Sequence, residues 1–109
     1  NAYINPEENL ILFSSFGRKD GLGGGDLYYS KKDSLGNWLA AKNFGEPINS
    51  NKLDFCPFYD AKNNVLYFSS NRVDLSSTIY TIEEFKKLAT SPLNGMSNIY
   101  KISLKGLIY

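Results

Sequence analysis

Short apolar stretches alternate with polar turns along most of the chain. Residues 2–15 contain an aromatic segment, a polar turn at 5–9 and an apolar run that ends Phe-Ser-Ser, and residues 57–70 repeat this order. Strand-length apolar runs bounded by Asn, Asp and Pro are typical of antiparallel hairpins. The pattern therefore predicts one hairpin design that is used twice.

The two hairpins belong to an internal repeat. An offset of 55 residues aligns Tyr3 with Phe58, Phe13 with Phe68, and Ser14-Ser15 with Ser69-Ser70. The match resumes downstream at an offset of 72, where Asp26-Leu27-Tyr28 aligns with Asn98-Ile99-Tyr100. The second copy therefore carries an insertion, which we place at about residues 73–96.

Each copy predicts a set of short strands. The first copy predicts strands at 2–4, 10–15, 26–31 and 38–43, and the second at 54–59, 65–70 and 97–104, with 107–109 as a possible stub. Alternation should place Leu10, Leu12 or Phe13, and Leu27 or Tyr29 against the neighbouring sheet, with Ser14 facing a turn or solvent. Four antiparallel strands in a unit of about 50 residues match the strand number and length of a β-propeller blade.

The insertion predicts one short amphipathic helix lying on the sheet. Thr81-Ile82-Glu83-Glu84 has the form of a capping box, and Ser91-Pro92 ends the run. The apolar residues at helical spacing are Ile82, Phe85, Leu88 and Ala89.

Charge and composition exclude several functions. Twelve Lys and Arg against eleven Asp and Glu give a net charge of +1, which disfavours a nucleic-acid partner. His is absent and Cys occurs once, which removes His-based catalysis, Cys/His zinc sites and an internal disulfide. No apolar run is long enough for membrane insertion. We predict no catalytic residue, metal or cofactor, and we expect Cys56 to be a buried small hydrophobe.

The glycine-rich stretch 21–26 invites comparison with a phosphate-binding loop. It lacks the Lys-Ser/Thr of a P-loop, and a strand follows it rather than a helix. We expect these glycines to supply positive φ angles, with Asp26 accepting hydrogen bonds from loop amides at the strand entry. Asn98 stands at the matching position and can accept the same bond. A structural role explains both copies.

Arg18 and Arg72 occupy nearly equivalent repeat positions. A carboxylate-binding site of the sialidase type would need a cluster of arginines, and only these two are present. We therefore favour a salt bridge between blades over a carboxylate clamp. Together with Asp26, they are the candidate binding residues.

Two motifs carry resemblances to known families. Residues 66–72 read Leu-Tyr-Phe-Ser-Ser-Asn-Arg, and Asn98-Ile99-Tyr100 follows the insertion; the first copy has Phe16-Gly17-Arg18 and Gly25-Asp26-Leu27-Tyr28. This pattern resembles the WD40-like β-propeller repeat of TolB-like proteins of the bacterial periplasm and cell envelope. Residues 30–38 also resemble a stretched form of the Asp-box hairpin of sialidase-type propellers, in which the Asp stabilises a turn.

The TolB-like resemblance implies an all-β chain of about two four-stranded blades, at about 2–45 and 54–109. It implies a non-catalytic interaction module of the periplasm or cell envelope that binds protein or glycan through blade loops. The alternative is a fragment of a propeller enzyme, a glycoside hydrolase or a peptidase, with catalytic residues elsewhere. Propellers have about four to eight blades, so two cannot close a ring. Either the chain is a fragment, or copies self-associate through exposed blade faces.

Overall fold

Two antiparallel β-sheets form the fold, which confirms the all-β prediction. The computed structural model describes residues 1–73, 82–90 and 95–106. The first sheet contains β1 (Ala2–Ile4), β2 (Leu10–Ser15), β3 (Asp26–Lys31) and β4 (Lys42–Asn43), in sequence order. The second contains β5 (Asp54–Asp60), β6 (Val65–Ser70) and β7 (Asn98–Ser103), again in sequence order, and helix α1 (Ile82–Thr90) precedes β7.

The predicted hairpins are formed by β1–β2 and β5–β6, and their turns are fixed by matching residues. Asn5 Oδ1 accepts hydrogen bonds from the backbone N–H groups of Asn9 and Leu10 at 3.0 and 2.8 Å. Asp60, at the same repeat position, accepts a bond from the Asn63 N–H at 3.2 Å. Side chains that satisfy turn amides in this way explain why Asn and Asp mark both turns.

The predicted strand at 38–43 is largely wrong, because only Lys42–Asn43 pairs with β3. Upstream, Trp38 forms an isolated bridge with Lys32, and the Leu39 carbonyl accepts a hydrogen bond from the Ser30 hydroxyl. The Leu39 N–H also donates to the Lys31 carbonyl at 2.8 Å, so pairing with β3 is interrupted only between this contact and Lys42. Residues 107–109, predicted as a stub, lie outside the described residues.

The predicted helix is present as α1. Thr81, the proposed cap, and the side chains of Glu84, Phe85, Leu88 and Ala89 lie outside the described part of the structure. The capping box and the contact of the helix with the sheet therefore stay predictions. Ile82, expected on the apolar face, is 77% exposed.

The hydrophobic core lies between the two sheets. Ile48, from the linker at 44–53, is buried between them. The other buried core residues come from β2 and β3, from β5 and β6, and from the segment after β7: Leu10, Leu12, Leu27, Tyr59, Leu66, Phe68 and Leu104. Burial of Leu10, Leu12 and Leu27 confirms the expected inner face.

The sheets stack front to back. Phe13 and Phe68 occupy the same repeat position, yet Phe68 is in the core and Phe13 is on the opposite face of its sheet from Leu12. Conversely, Leu12 is in the core, whereas Tyr67, which matches it, lies on the outer face of the second sheet. Each unit therefore has two different faces, and the inner face of one meets the opposite face of the next.

Two expectations about single residues are wrong. Ser14 pairs with Leu27 on the core face, where its hydroxyl oxygen is buried without a hydrogen-bond partner among the described residues. Cys56 is exposed rather than buried, because the β5–β6 register shifts between Phe55 and Phe58 and Cys56 takes a φ of 52° there. A bulge of this kind turns a side chain away from the face on which simple alternation would place it.

Candidate functional site

The loop ends of the two sheets hold all three candidate residues. At this end β2 leads into the glycine-rich loop and then β3, and β6 leads into the insertion that precedes β7. The linker that joins the sheets runs beside the glycine-rich loop. The site is therefore built from two loops and the linker.

Arg72 binds the linker to the second sheet. Its guanidinium lies over the rings of Phe68 and Tyr100, 5.2 and 5.0 Å from their centroids. The two terminal nitrogens donate to the carbonyls of Pro47 and Ile48 at 3.1 and 2.5 Å, and Nη2 also lies 3.0 Å from Asp54 Oδ1. All three nitrogens of this guanidinium donate hydrogen bonds, since its Nε donates to Ser70 Oγ. The planar arrangement of its N–H donors suits several acceptors at once.

The Asp54 carboxylate is fully buried at the start of β5. It accepts hydrogen bonds from the N–H and hydroxyl of Ser50, and from the Ser70 hydroxyl at 2.5 Å. Arg72 supplies the compensating charge. Buried carboxylates are stable only when they are paired and hydrogen-bonded in this way.

The salt bridge predicted between blades is therefore placed differently. Asp54 belongs to β5, in the same sheet as β6, so the pair lies within the second unit, and Arg72 reaches the linker only through main-chain carbonyls. Arg18 has no ion pair among the described residues. Asp54 and Ser70 were not among the predicted site residues, although the repeated serine at 15 and 70 was a usable signal.

Arg18 forms a matching cluster on the outer face of the first sheet. Its guanidinium lies over Phe13 and Tyr28, 5.5 and 4.7 Å from the ring centroids, and its Nε donates to Ser15 Oγ at 2.8 Å. In the second unit Arg72 Nε donates to Ser70 Oγ at 2.9 Å. The Ser-Arg pair on two aromatic rings is thus a repeated structure, and stacking of this kind stabilises an arginine by about 0.5–1 kcal/mol at exposed sites.

Asp26 has the structural role that the sequence predicted. Its carboxylate accepts hydrogen bonds from the N–H groups of Leu22 and Gly23, at 2.6 and 3.1 Å, and from Asn43 Nδ2 at 2.8 Å. It is almost fully buried. The Asn98 side-chain amide donates to the Met96 carbonyl at 3.1 Å, and the acceptor role expected for Asn98 stays a prediction.

Gly23 and Gly25 of this loop serve close packing rather than positive φ. None of the glycines at 21–25 is among those with positive φ. A Cβ at Gly23 would lie 2.7 Å from the Ser50 carbonyl oxygen and closer still to that of Lys52, and one at Gly25 would meet Leu53 and Phe16 at 2.7 Å. The expectation of left-handed backbone is therefore wrong, since the linker passes where side chains would stand.

The linker is also fixed to the first sheet. Asn49 is buried, and its side chain accepts from the Leu27 N–H at 2.7 Å and donates to the Leu27 carbonyl at 2.9 Å. A cleft of about 410 Å³ opens beside this linker. Its lining residues come from the two loops and the linker: Gly24, Asn51, Lys52, Leu53, Asn71, Val73 and Gly95.

Hydrogen bonds lower the pKa of two aspartates in the turns, and burial raises the pKa of one tyrosine. The backbone N–H of Asn37 is the main cause that holds the pKa of Asp33 below its usual value, and the Asn63 side chain does the same for the pKa of Asp60. Burial raises the pKa of the Tyr28 hydroxyl, which donates to Asp20. Asp33 accepts hydrogen bonds from the N–H groups of Leu35 and Asn37 within its hairpin turn, both at 2.9 Å.

The described residues contain no group of three or more His, Cys, Asp or Glu side chains that could hold a metal ion. Within the same residues, no helix has the length and apolar character needed to cross a bilayer. Comparison with protein-family models, curated proteins and solved structures gave no match. The residues and their geometry therefore carry the functional argument.

Proposed function

We propose that this chain is a pair of stacked repeat units from a β-propeller of the TolB-like type, acting as a non-catalytic interaction module. The observation that carries this proposal is the front-to-back stacking of the two sheets. Units that pack in this way can continue in both directions, as the blades of a propeller do. A sandwich built from two like faces could not.

The loop end is the proposed binding surface for protein or glycan. It collects the cleft of about 410 Å³, the linker and both ends of the insertion. Loops carried on a rigid sheet are common binding elements. The cell-envelope location rests on the resemblance of the repeat motif alone. The alternative, a propeller enzyme, would require its catalytic residues outside this chain.

The outer faces provide the test. Ile99 is 78% exposed on the outer face of the second sheet, the face that also carries Tyr67 and Phe58. The first sheet presents Ile4, which is half exposed, on its own outer face. If these faces are stacking surfaces, the chain should associate head to tail, because the two faces are different and a head-to-tail contact joins unlike faces.

Light scattering over a range of protein concentrations measures this association. We expect the measured mass to rise with protein concentration. Ile99→Lys should keep the chain monomeric, because association would bury the lysine charge at the contact. Ile82→Lys is the matched control, since it makes the same change at an exposed isoleucine of α1 and should leave association unchanged. A wild-type chain that stays monomeric at millimolar concentration would contradict the stacking proposal.

A further inference from the structure

The two Ser-Arg clusters differ in what surrounds the guanidinium. Arg72 contacts one carboxylate and two main-chain carbonyls, all supplied by the linker and the first residue of β5. Arg18 is exposed, and no described residue accepts a hydrogen bond from its terminal nitrogens. Its guanidinium nevertheless lies over the equivalent pair of aromatic rings, Phe13 and Tyr28.

The Ser15 hydroxyl completes the likeness. Ser70 accepts from Arg72 Nε and donates its own proton to Asp54 Oδ1. Ser15 accepts from Arg18 Nε, and no described residue accepts its proton. One hydroxyl donor and the terminal donors of a guanidinium therefore converge beside the start of β1, in the arrangement that binds the carboxylate in the second unit.

The acidic side chains nearby do not occupy this arrangement. Asp20 accepts a hydrogen bond from the Tyr28 hydroxyl, and Asp26 is bound by the glycine-rich loop and Asn43. Neither forms an ion pair with Arg18. The positive charge of Arg18 is thus presented on the outer face of the sheet.

We propose that Ser15 and Arg18 form a binding site for an extended peptide that presents an aspartate side chain together with two main-chain carbonyls. The chemistry is that of the segment Pro47–Asp54, which Arg72 and Ser70 already bind. A planar guanidinium suits this ligand because it can bind a carboxylate and carbonyls in one plane. The site goes beyond the loop-end cleft of the proposed function, because it lies on the outer face of the first sheet, and it rests on that function for the presence of a protein partner.

A synthetic peptide with the sequence of residues 46–54, acetylated and amidated at its ends, is the probe. It is titrated into the Ile99→Lys variant, so that association through the opposite face does not interfere, and binding is followed by NMR at the Arg18 Nε–H and at the rings of Phe13 and Tyr28. We expect a saturable shift at these groups. Arg18→Lys, which keeps the charge and loses the fork, should weaken binding about tenfold or more, and Ser15→Ala should also weaken it.

Two controls separate this site from simple charge attraction. Lys19→Gln removes a neighbouring exposed cation and should change the affinity by about twofold at most. A peptide with Asn in place of its aspartate should bind about tenfold more weakly. Thermal unfolding of each variant checks that the sheet is intact.

Three results would overturn the proposal. The first is the absence of a saturable shift at millimolar peptide, and the second is binding that Arg18→Lys leaves unchanged. The third is N-acetylaspartate binding as tightly as the peptide, which would assign the site to free carboxylates. Because the Ile99→Lys background is monomeric by design, a failure here leaves the light-scattering test of stacking untouched.

Discussion

At the residue scale, Asp54 determines how the linker meets the second sheet. Its buried carboxylate joins Ser50 of the linker to Ser70 and Arg72 at the end of β6. Four donors converge on this one side chain, counting both groups of Ser50. Removing its charge affects both the ion pair and the network around it.

We expect Asp54→Asn to lower the free energy of unfolding by about 2–3 kcal/mol, because it leaves the Arg72 charge without its carboxylate and replaces one acceptor oxygen by a donor. Urea denaturation measures the change. Glu8→Gln is the control, since Glu8 is exposed and its change should stay within about 0.5 kcal/mol. Equal effects of the two substitutions would show that the Asp54 network does not stabilise the fold.

The role of a side chain could be predicted from the sequence where that side chain acts within its own loop. Asp26 bonds amides three and four residues before it, so the local sequence was enough. Asp54 could not be found in the same way, because Ser70 and Arg72 approach it only after β5 and β6 have paired. Cys56 was misplaced because the bulge interrupts the alternation on which its prediction relied.

At the element scale, the glycine-rich loop and the linker are in direct contact. The Gly24 N–H donates to the Lys52 carbonyl at 3.0 Å, and the Asp54 N–H donates to the Gly25 carbonyl at 2.9 Å. The loop of the first unit is thus hydrogen-bonded to the backbone at the start of the second unit. Absence of side chains at the contact is what permits this approach.

Gly23 and Gly24 offer a matched pair for testing this contact. A Cβ at Gly23 would press on the linker backbone, so Gly23→Ala should destabilise the fold by about 1–3 kcal/mol. A Cβ at Gly24 would meet no atom within 4 Å, so Gly24→Ala should be neutral or slightly stabilising. Thermal unfolding of both variants is the measurement, and equal midpoints would contradict the packing role of Gly23.

The strands themselves could be predicted because their turns are marked by local chemistry. β1, β2, β3 and β6 have the bounds that the pattern gave. β4 could not, because one strand was predicted over 38–43 and only Lys42–Asn43 pairs with β3, while Leu39 bonds to the Ser30 hydroxyl and the Lys31 carbonyl. A bond between side chain and backbone of different elements leaves no periodicity in the sequence.

At the scale of the whole molecule, the two sheets share one core. Leu12 of the first sheet and Leu66 of the second are both fully buried within it. Neither sheet has a second covered face of similar extent among the described residues, because Ile4 and Ile99 mark exposed outer faces. The two units should therefore unfold together.

We expect Leu66→Ala to destabilise the chain by about 2–5 kcal/mol through loss of burial and the cavity it leaves. Amide hydrogen exchange should report a similar loss of protection at Leu12 in β2 as at Phe68 in β6. Leu35→Ala, at a residue that is 84% exposed, is the control and should change little. Protection of β2 that survives Leu66→Ala unchanged would show that the sheets are independent.

The stacking of the two sheets was the feature that the sequence predicted least. The repeat predicted two like units, but each sheet has an apolar residue available on either face, as Leu12 and Phe13 show. Which face turns inward depends on the neighbouring sheet and on Ile48 of the linker, which enter the core from far along the chain. The period-two alternation of side chains shows that each strand has two faces, but it does not determine which neighbouring element packs against each face.

The insertion of the second unit begins and ends at one point of the sheet. The Gly95 N–H donates to the Arg72 carbonyl at 3.3 Å, and a Cβ at Gly95 would lie 3.6 Å from Val73 Cβ. The β6–β7 register continues the β2–β3 pattern although the two connections differ in length. For protein engineering this junction is an acceptor site: a reporter domain or an epitope could replace the intervening residues, at an entropic cost of only about 0.6 kcal/mol for each doubling of loop length.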